Sequence, residues 1–343
     1  MEFQQIISDI FSGLTGDAKA DMKYLHEQGE MYKDHEYATE INRAIGRKIY
    51  ELLPDGAKNE LEQMIDNHQQ GIDSVLEEAM FQLKSQHNPE KAEQLFASVI
   101  EKTSGMFKED AECKYLCFEN FIEKAIYDLK YNPEKTIRKP TYNYAMIYYM
   151  YGYCLLENKK MAEAEQALLT AHRWNPVSSQ IMFELAEIYK IAEQYPLFLS
   201  WTRKAMECTY SAHDLARAYR NLGYYYIDMK EYTLAADLFY FSMYFEESQM
   251  ARSELFYIGQ LTGEMPKQSD IQAFRSALEA KKIPFGPDGE IISLVYQLGQ
   301  LFAENQQYDI AAECFENVFR FTNDPQVEQK MKQMQEQRGN NGE

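Results

Sequence analysis

Apolar residues along most of the chain recur three and four positions apart, which is the spacing of one face of an α-helix. The pattern is clearest from Ala145, where two such helices follow one another across the polar turn Asn158–Lys160. The positions that define this pair are Tyr148, Tyr151, Gly152, Leu155, Ala164, Leu168, Ala171 and Pro176. The stretch therefore predicts a helical hairpin.

The same spacing recurs along the chain, which makes the hairpin a repeat. Clear copies begin near residues 145, 179, 216 and 292, and weaker copies begin near 73, 107 and 252. The second helix of the copy near 252 is predicted over Asp270–Lys281. A single hairpin cannot bury both of its apolar faces, so the repeats are expected to stack.

Glycine returns inside the first helix of several copies, although it costs about 1 kcal/mol relative to alanine there. The positions are Gly152, Gly223, Gly259 and Gly299. We expect each to mark a close approach between the two helices of a pair, opposite Ala164, Ala235 and Ala311 in the clear copies. Large aromatic residues beside them would fill the space between successive pairs.

This pattern resembles the tetratricopeptide repeat (TPR) family over roughly Asp73–Asn323, with Tyr148 where that family often has tryptophan. The resemblance implies an all-α fold, a right-handed superhelical solenoid of helix-turn-helix repeats. It also implies a concave face lined by the first helices, where partners bind. The repeat pattern is specific for the fold and unspecific for function.

The repeat does not extend over the whole chain. Residues 1–70 are predicted to form an N-terminal helical bundle, with Asp17 as an N-cap. Residues 73–325 are predicted to form the TPR-like solenoid, and 326–343 are predicted to form a polar C-terminal cap and tail. Within the solenoid, the apolar stripe over 107–129 favours one long helix rather than two short ones.

The net charge of the chain restricts the kinds of molecule that it can bind. Acidic residues outnumber lysine plus arginine by 54 to 35, which leaves a net charge of −19. This excess argues against binding to nucleic acid or to an anionic membrane surface. No apolar run is long enough to span a bilayer, and no secretory signal is recognisable at the start. The five cysteines are expected to be reduced and mostly buried, so a cytoplasmic location is predicted.

The sequence offers little catalytic chemistry. It contains none of the motifs GxGxxG, GxxxxGK[ST], HExxH and GxSxG, and no two of its six histidines have metal-ligand spacing. We therefore predict no catalytic residue, no metal and no cofactor. The sequence does not decide whether residues that are distant in the chain come together to form an active site.

The resemblance implies that a protein or peptide partner would contact first-helix positions that are not used for packing. These groove positions are Met146, Tyr149, Tyr153, Phe183, Glu187, Lys190, Arg217, Arg220, Tyr224, Tyr296 and Gln300. Tyrosine suits recognition because it combines a rigid ring with a polar tip. Some of these tyrosines could instead fill the interior of the solenoid. One subclass of the TPR family binds the C-terminal carboxylate of its partner in a clamp of basic residues. Such a clamp is disfavoured here, because Glu184 would lie beside Arg217 and repel the partner's carboxylate.

The leading hypothesis is a non-enzymatic adaptor or scaffold that binds an unidentified protein or peptide. The alternative is a peptide-responsive regulator whose N-terminal bundle binds an effector protein, because the layout resembles bacterial regulators of that kind. A third possibility is a structural subunit that forms homo-oligomers. In that case Phe285, in the proline-containing loop after the copy near 252, is exposed or docks on a neighbour.

Overall fold

The computed structural model describes residues 3–340, without the side chains of residues 67, 68, 339 and 340. The last three residues of the predicted tail lie outside the described residues. The helices are α1 (Phe3–Ser12), α2 (Ala18–Met31), α3 (Ala38–Leu52), α4 (Asp55–Lys84), α5 (Pro89–Thr103), α6 (Phe121–Tyr131), α7 (Tyr144–Glu157), α8 (Met161–Trp174), α9 (Ser179–Ile191), α10 (Tyr195–Met206), α11 (Ala212–Asp228), α12 (Tyr232–Phe245), α13 (Gln249–Thr262), α14 (Ile271–Ala280), α15 (Gly289–Glu304), α16 (Tyr308–Thr322) and α17 (Pro325–Asn340). Two short strands, β1 (Cys113–Tyr115) and β2 (Thr136–Arg138), accompany them.

The chain divides into two compact units. The first holds the chain up to Leu116 with Pro133–Asn143 and Tyr153–Lys160, and the second holds Cys117–Asn132, Tyr144–Gly152 and the chain from Met161 onward. The predicted domain boundaries at 70 and 325 remain predictions.

The first unit begins with helices α1 to α3 around a small core. Its fully buried centre includes Leu25 and Ile41. The predicted cap is confirmed, because the Asp17 carboxylate accepts the backbone N–H groups of Lys19 and Ala20 at 3.0 and 2.9 Å. These bonds satisfy donors that the first turn of α2 leaves open.

The prediction of one long helix over 107–129 is wrong. Strand β1 lies inside that stretch and pairs in parallel with β2, with Cys113 opposite Thr136. The Asp110 carboxylate accepts the N–H of Cys113 at 2.7 Å and that of Glu112 at 2.9 Å, which bends the chain into the strand. Helix α6 begins only after Asn120, whose side chain accepts the N–H of Glu123 at 3.0 Å.

The second unit is an all-α helical repeat, as predicted. Consecutive helices pack as pairs, α9 with α10, α11 with α12 and α15 with α16, and α10 and α12 also contact the first helix of the next pair. Aromatic side chains fill the core. Those that are fully buried are Phe183, Phe198, Tyr219, Phe239 and Phe315. Helix α17 packs on α16 and buries Val327 and Met334, and the role of 326–343 as a cap remains a prediction.

The close approach predicted at the repeat glycines is confirmed at Gly223. A Cβ there would lie 2.9 Å from ring atoms of Phe239, so the residue that packs on the glycine is one turn beyond the predicted Ala235. At Gly259 a Cβ would instead meet Met265, in the segment that follows α13. The predicted second helix of this weak copy is confirmed as α14, which contacts α12.

The loop between α14 and α15 is fixed by a buried tyrosine. The Tyr219 hydroxyl donates to the Pro284 carbonyl at 2.9 Å and accepts the Gly286 N–H at 2.8 Å. Phe285 stacks on Phe241 with ring centroids 4.7 Å apart, so its ring docks on a neighbouring helix of its own chain. The loop is therefore part of the packed structure of the second unit.

All five cysteines are buried, as predicted, and none of them forms a disulfide in the described part of the chain. No helix among residues 3–340 has the length and apolar character needed to cross a membrane.

Candidate protein-binding surface

Three first helices of the second unit lie side by side, because α11 contacts both α9 and α13. Exposed and half-buried residues of these helices form one surface, which we call the α9–α11–α13 surface. It consists of Glu187, Lys190, Tyr224, Asp228, Met250, Glu254, Tyr257 and Leu261. Three of the predicted groove residues, Glu187, Lys190 and Tyr224, come together here.

Tyr224 is the centre of this surface. Its side chain is 37% exposed, and the Lys190 ammonium lies 5.0 Å from the ring centroid. Phe198 contacts the ring in an edge-to-face arrangement, with the centroids 6.2 Å apart. These two contacts restrain the ring while more than a third of the residue stays exposed, so little side-chain entropy would be lost when a partner covers it.

Acidic groups surround this tyrosine. Burial raises the pKa of Tyr224, and the nearby charges of Glu254 and Asp228 act in the same direction. Burial also raises the pKa of Glu254, while the charge of Lys190 opposes that rise. Lys190 is itself paired with Glu187 at 2.5 Å. The surface consequently carries more negative than positive charge.

Helix α13 adds an apolar stripe. Met250, Tyr257 and Leu261 are 68%, 46% and 47% exposed. Tyr257 follows Met250 by seven residues and precedes Leu261 by four, and Glu254 follows Met250 by four. These separations place all four residues on one face of the helix. The opposite face of α13 is buried through Leu255 and Ile258. The sequence analysis did not identify this stripe. The signal was present, because helix α13 carries two sets of apolar residues with helical spacing, and only one set is buried.

The two predicted groove arginines are already neutralised. Arg217 pairs with Glu184 at 2.9 Å, and Arg220 pairs with Glu246 at 3.0 Å. Burial acts to raise the pKa of Glu246, but His213 and Arg220 outweigh it and lower the pKa. An arginine already paired with a carboxylate is poorly placed to hold a second one.

The remaining predicted residues lie elsewhere. Phe183 is fully buried, and the Arg217 guanidinium lies 4.9 Å from its ring. On α7, the Tyr149 hydroxyl accepts a hydrogen bond from Gln180 at 3.0 Å. Met146 is half-buried, whereas Tyr153 is exposed and belongs to the first unit. On α15, Tyr296 packs edge-on against Phe315, and Gln300 is exposed.

One buried carboxyl group lies on α6. Glu123 is 3% exposed, and its Oε2 accepts the Glu119 N–H at 2.6 Å and the Asn175 Nδ2–H at 2.7 Å. Burial raises its pKa to about 7, an effect that these two hydrogen bonds oppose and that the charges of Glu119 and Asp214 reinforce. The Glu123 carboxyl group therefore changes from neutral to charged as the pH rises through about 7.

No cluster of histidine, cysteine and carboxylate side chains in the described ranges has the geometry of a metal site. The α9–α11–α13 surface offers aromatic, apolar and acidic side chains for contact with a partner.

Comparison with known proteins adds little to this picture. No family model matches the chain, and no curated protein matches it. Among solved structures, the chain is similar to the TPR domain of P58(IPK), with 13% sequence identity over 99% of this chain and 98% of that chain. The TM-score is 0.21, so this similarity carries no argument about shape or function. The helical-repeat fold rests on the helix packing described above.

Proposed function

We propose that this chain is a non-enzymatic, TPR-type scaffold that binds a protein or peptide partner on the α9–α11–α13 surface. The observation that supports the proposal is the Tyr224 ring, which contacts Lys190 and Phe198 while the residue stays 37% exposed. A large aromatic side chain in a fixed orientation is typical of residues that dominate binding energy.

The chemistry of the surface specifies the kind of segment it would bind. Glu187, Asp228 and Glu254 outnumber Lys190, so a cationic side chain of the partner is favoured near Tyr224. An aromatic face also attracts a cation within about 6 Å. The exposed stripe of Met250, Tyr257 and Leu261 would contact apolar side chains. We therefore expect a segment that combines lysine or arginine with apolar residues.

A pull-down from the native cytosol, read by mass spectrometry, tests the proposal. The bait variants are Tyr224→Ala with Tyr257→Ala, and Tyr244→Ala as a matched control. Tyr244 is 72% exposed but lies on the second helix α12. We expect a partner that wild type and the control retain and the double variant loses, with circular dichroism showing that all three fold alike. A partner retained equally by all three would place the site elsewhere.

The absence of catalysis is part of the same proposal. It would be contradicted by turnover of a substrate that a single substitution abolishes while the helical fold remains intact. The scaffold role would then be secondary.

A further inference from the structure

Helix α4 is much longer than the helix that packs on it. It spans Asp55–Lys84, 30 residues, whereas α5 spans Pro89–Thr103, 15 residues. At about 1.5 Å per residue, α4 is ~45 Å long and α5 only ~22 Å. Because α5 folds back directly after α4, it can cover only the second half, where Ala79 and Leu83 are buried.

The first half of α4 carries the same apolar stripe without a cover. Leu61, Met64 and Ile65 are 38%, 70% and 55% exposed. Ile65 lies seven residues before Ile72, which is buried, and Ile72 lies seven before Ala79. Residues with this separation share one face of a helix. The bare stripe thus continues the face that packs inside the first unit.

Acidic side chains border the bare stripe. Residues 55–66 contain Asp55, Glu60, Glu62 and Asp66 against the single basic residue Lys58. Glu60 and Glu62 fall on opposite edges of the stripe by helical geometry. Lys58 is engaged with the Tyr50 ring at 5.8 Å, and Glu62 accepts a hydrogen bond from the Tyr50 hydroxyl.

We propose that the first half of α4 docks an amphipathic helix of another protein whose apolar stripe is flanked by lysine or arginine. The bare stripe presents apolar side chains three and four residues apart, against which the apolar face of a second helix can pack. Its acidic edges select a basic partner. A second copy of this chain is a poorer occupant, because identical acidic edges would face each other and the whole chain carries a charge of −19. This surface is separate in sequence from the α9–α11–α13 surface.

Fluorescence anisotropy with a labelled 18-residue helical peptide of leucine and lysine in amphipathic order tests this proposal on the full chain. The control peptide has the same composition in scrambled order. The test variant is Met64→Gln with Ile65→Gln, and the matched variant is Leu129→Gln on α6 with Leu301→Gln on α15, two residues that belong to neither proposed surface. All four positions are exposed and glutamine is compatible with a helix, so all variants are expected to fold.

We expect the amphipathic peptide to bind wild type and the matched variant equally, and the α4 variant at least about tenfold more weakly, a loss of ~1.4 kcal/mol. Glu60→Gln should weaken binding at low salt and have little effect at high salt. The proposal would be overturned if both peptides bound equally or if no binding were measurable. It would also be overturned if the matched variant, and not the α4 variant, lost binding of the amphipathic peptide. Light scattering that shows a dimer dissociated by the α4 variant would assign the stripe to a second copy.

Discussion

Glu123→Gln is expected to stabilise the second unit at neutral and alkaline pH. The folded protein holds this carboxyl group buried, with its pKa raised from 4.5 to about 7. The unfolded chain exposes it, so the pKa there is close to the ordinary value. Glutamine keeps the acceptor that Glu119 N–H and Asn175 Nδ2–H require, but it cannot ionise.

The sign follows from proton linkage. Because the folded state binds this proton more tightly, the stability that Glu123 contributes is fully present below about pH 4.5 and is lost as the pH rises to about 7. Above that range the ionised group costs about 3 kcal/mol, at ~1.4 kcal/mol per pKa unit. The variant should exceed wild type by about 3 kcal/mol at pH 8 and by less than ~1 kcal/mol at pH 5.

Urea unfolding followed by tryptophan fluorescence measures this difference. Both tryptophans, Trp174 and Trp201, lie in the second unit, so the signal reports on the unit that contains Glu123. Asp128→Asn is the matched control on the same helix. It removes a largely exposed carboxylate paired with Lys124 and should change stability by only a few tenths of a kcal/mol. A difference between Glu123→Gln and wild type that stays constant from pH 5 to pH 8 would refute the reasoning.

The other predictions concern packing. Tyr219→Phe leaves the polar backbone groups of the loop after α14 without their hydroxyl partner and should destabilise by about 1–3 kcal/mol in the same urea assay. Gly223→Ala, which forces a Cβ against Phe239, should lower the melting temperature in circular dichroism, whereas Gly46→Ala, with open space around it, should leave it unchanged or raise it. Phe285→Ser should destabilise by about 1–2 kcal/mol without changing the mass in light scattering, since the ring is 37% exposed but packs on Phe241 of its own chain; a change in mass would favour an oligomeric role.

The sequence was most informative where local pattern and packing agree. The helix pairs from α7 to α16 follow the 3.6-residue period, and the Asp17 cap of α2 depends only on neighbours in sequence. The stretch around Cys113 was not predictable in this way. Its strand forms by pairing with Thr136–Arg138, and a helical stripe of apolar residues does not reveal such a distant partner.

The candidate surface was only partly predictable for a similar reason. Lys190 and Tyr224 were found because they occupy unpacked positions in clear repeats. Glu254 and Tyr257 lie in the weak copy, where Gly259 approaches Met265 instead of a second helix, so the repeat pattern did not identify which face of α13 is open. Phe183 occupies a position that is open in the repeat pattern, but in the folded chain it is buried beneath Arg217.

Site-specific photo-crosslinking tests the proposed scaffold role most directly. A benzophenone side chain would replace Tyr257 on the α9–α11–α13 surface and, in a parallel sample, Tyr244 on α12, and crosslinked peptides would be identified by mass spectrometry. We predict that position 257, but not position 244, captures a partner segment rich in basic and apolar residues, and that this capture is lost when Tyr224→Ala is added. Capture of the same proteins from both positions, or none from 257 while the partner still binds, would contradict it.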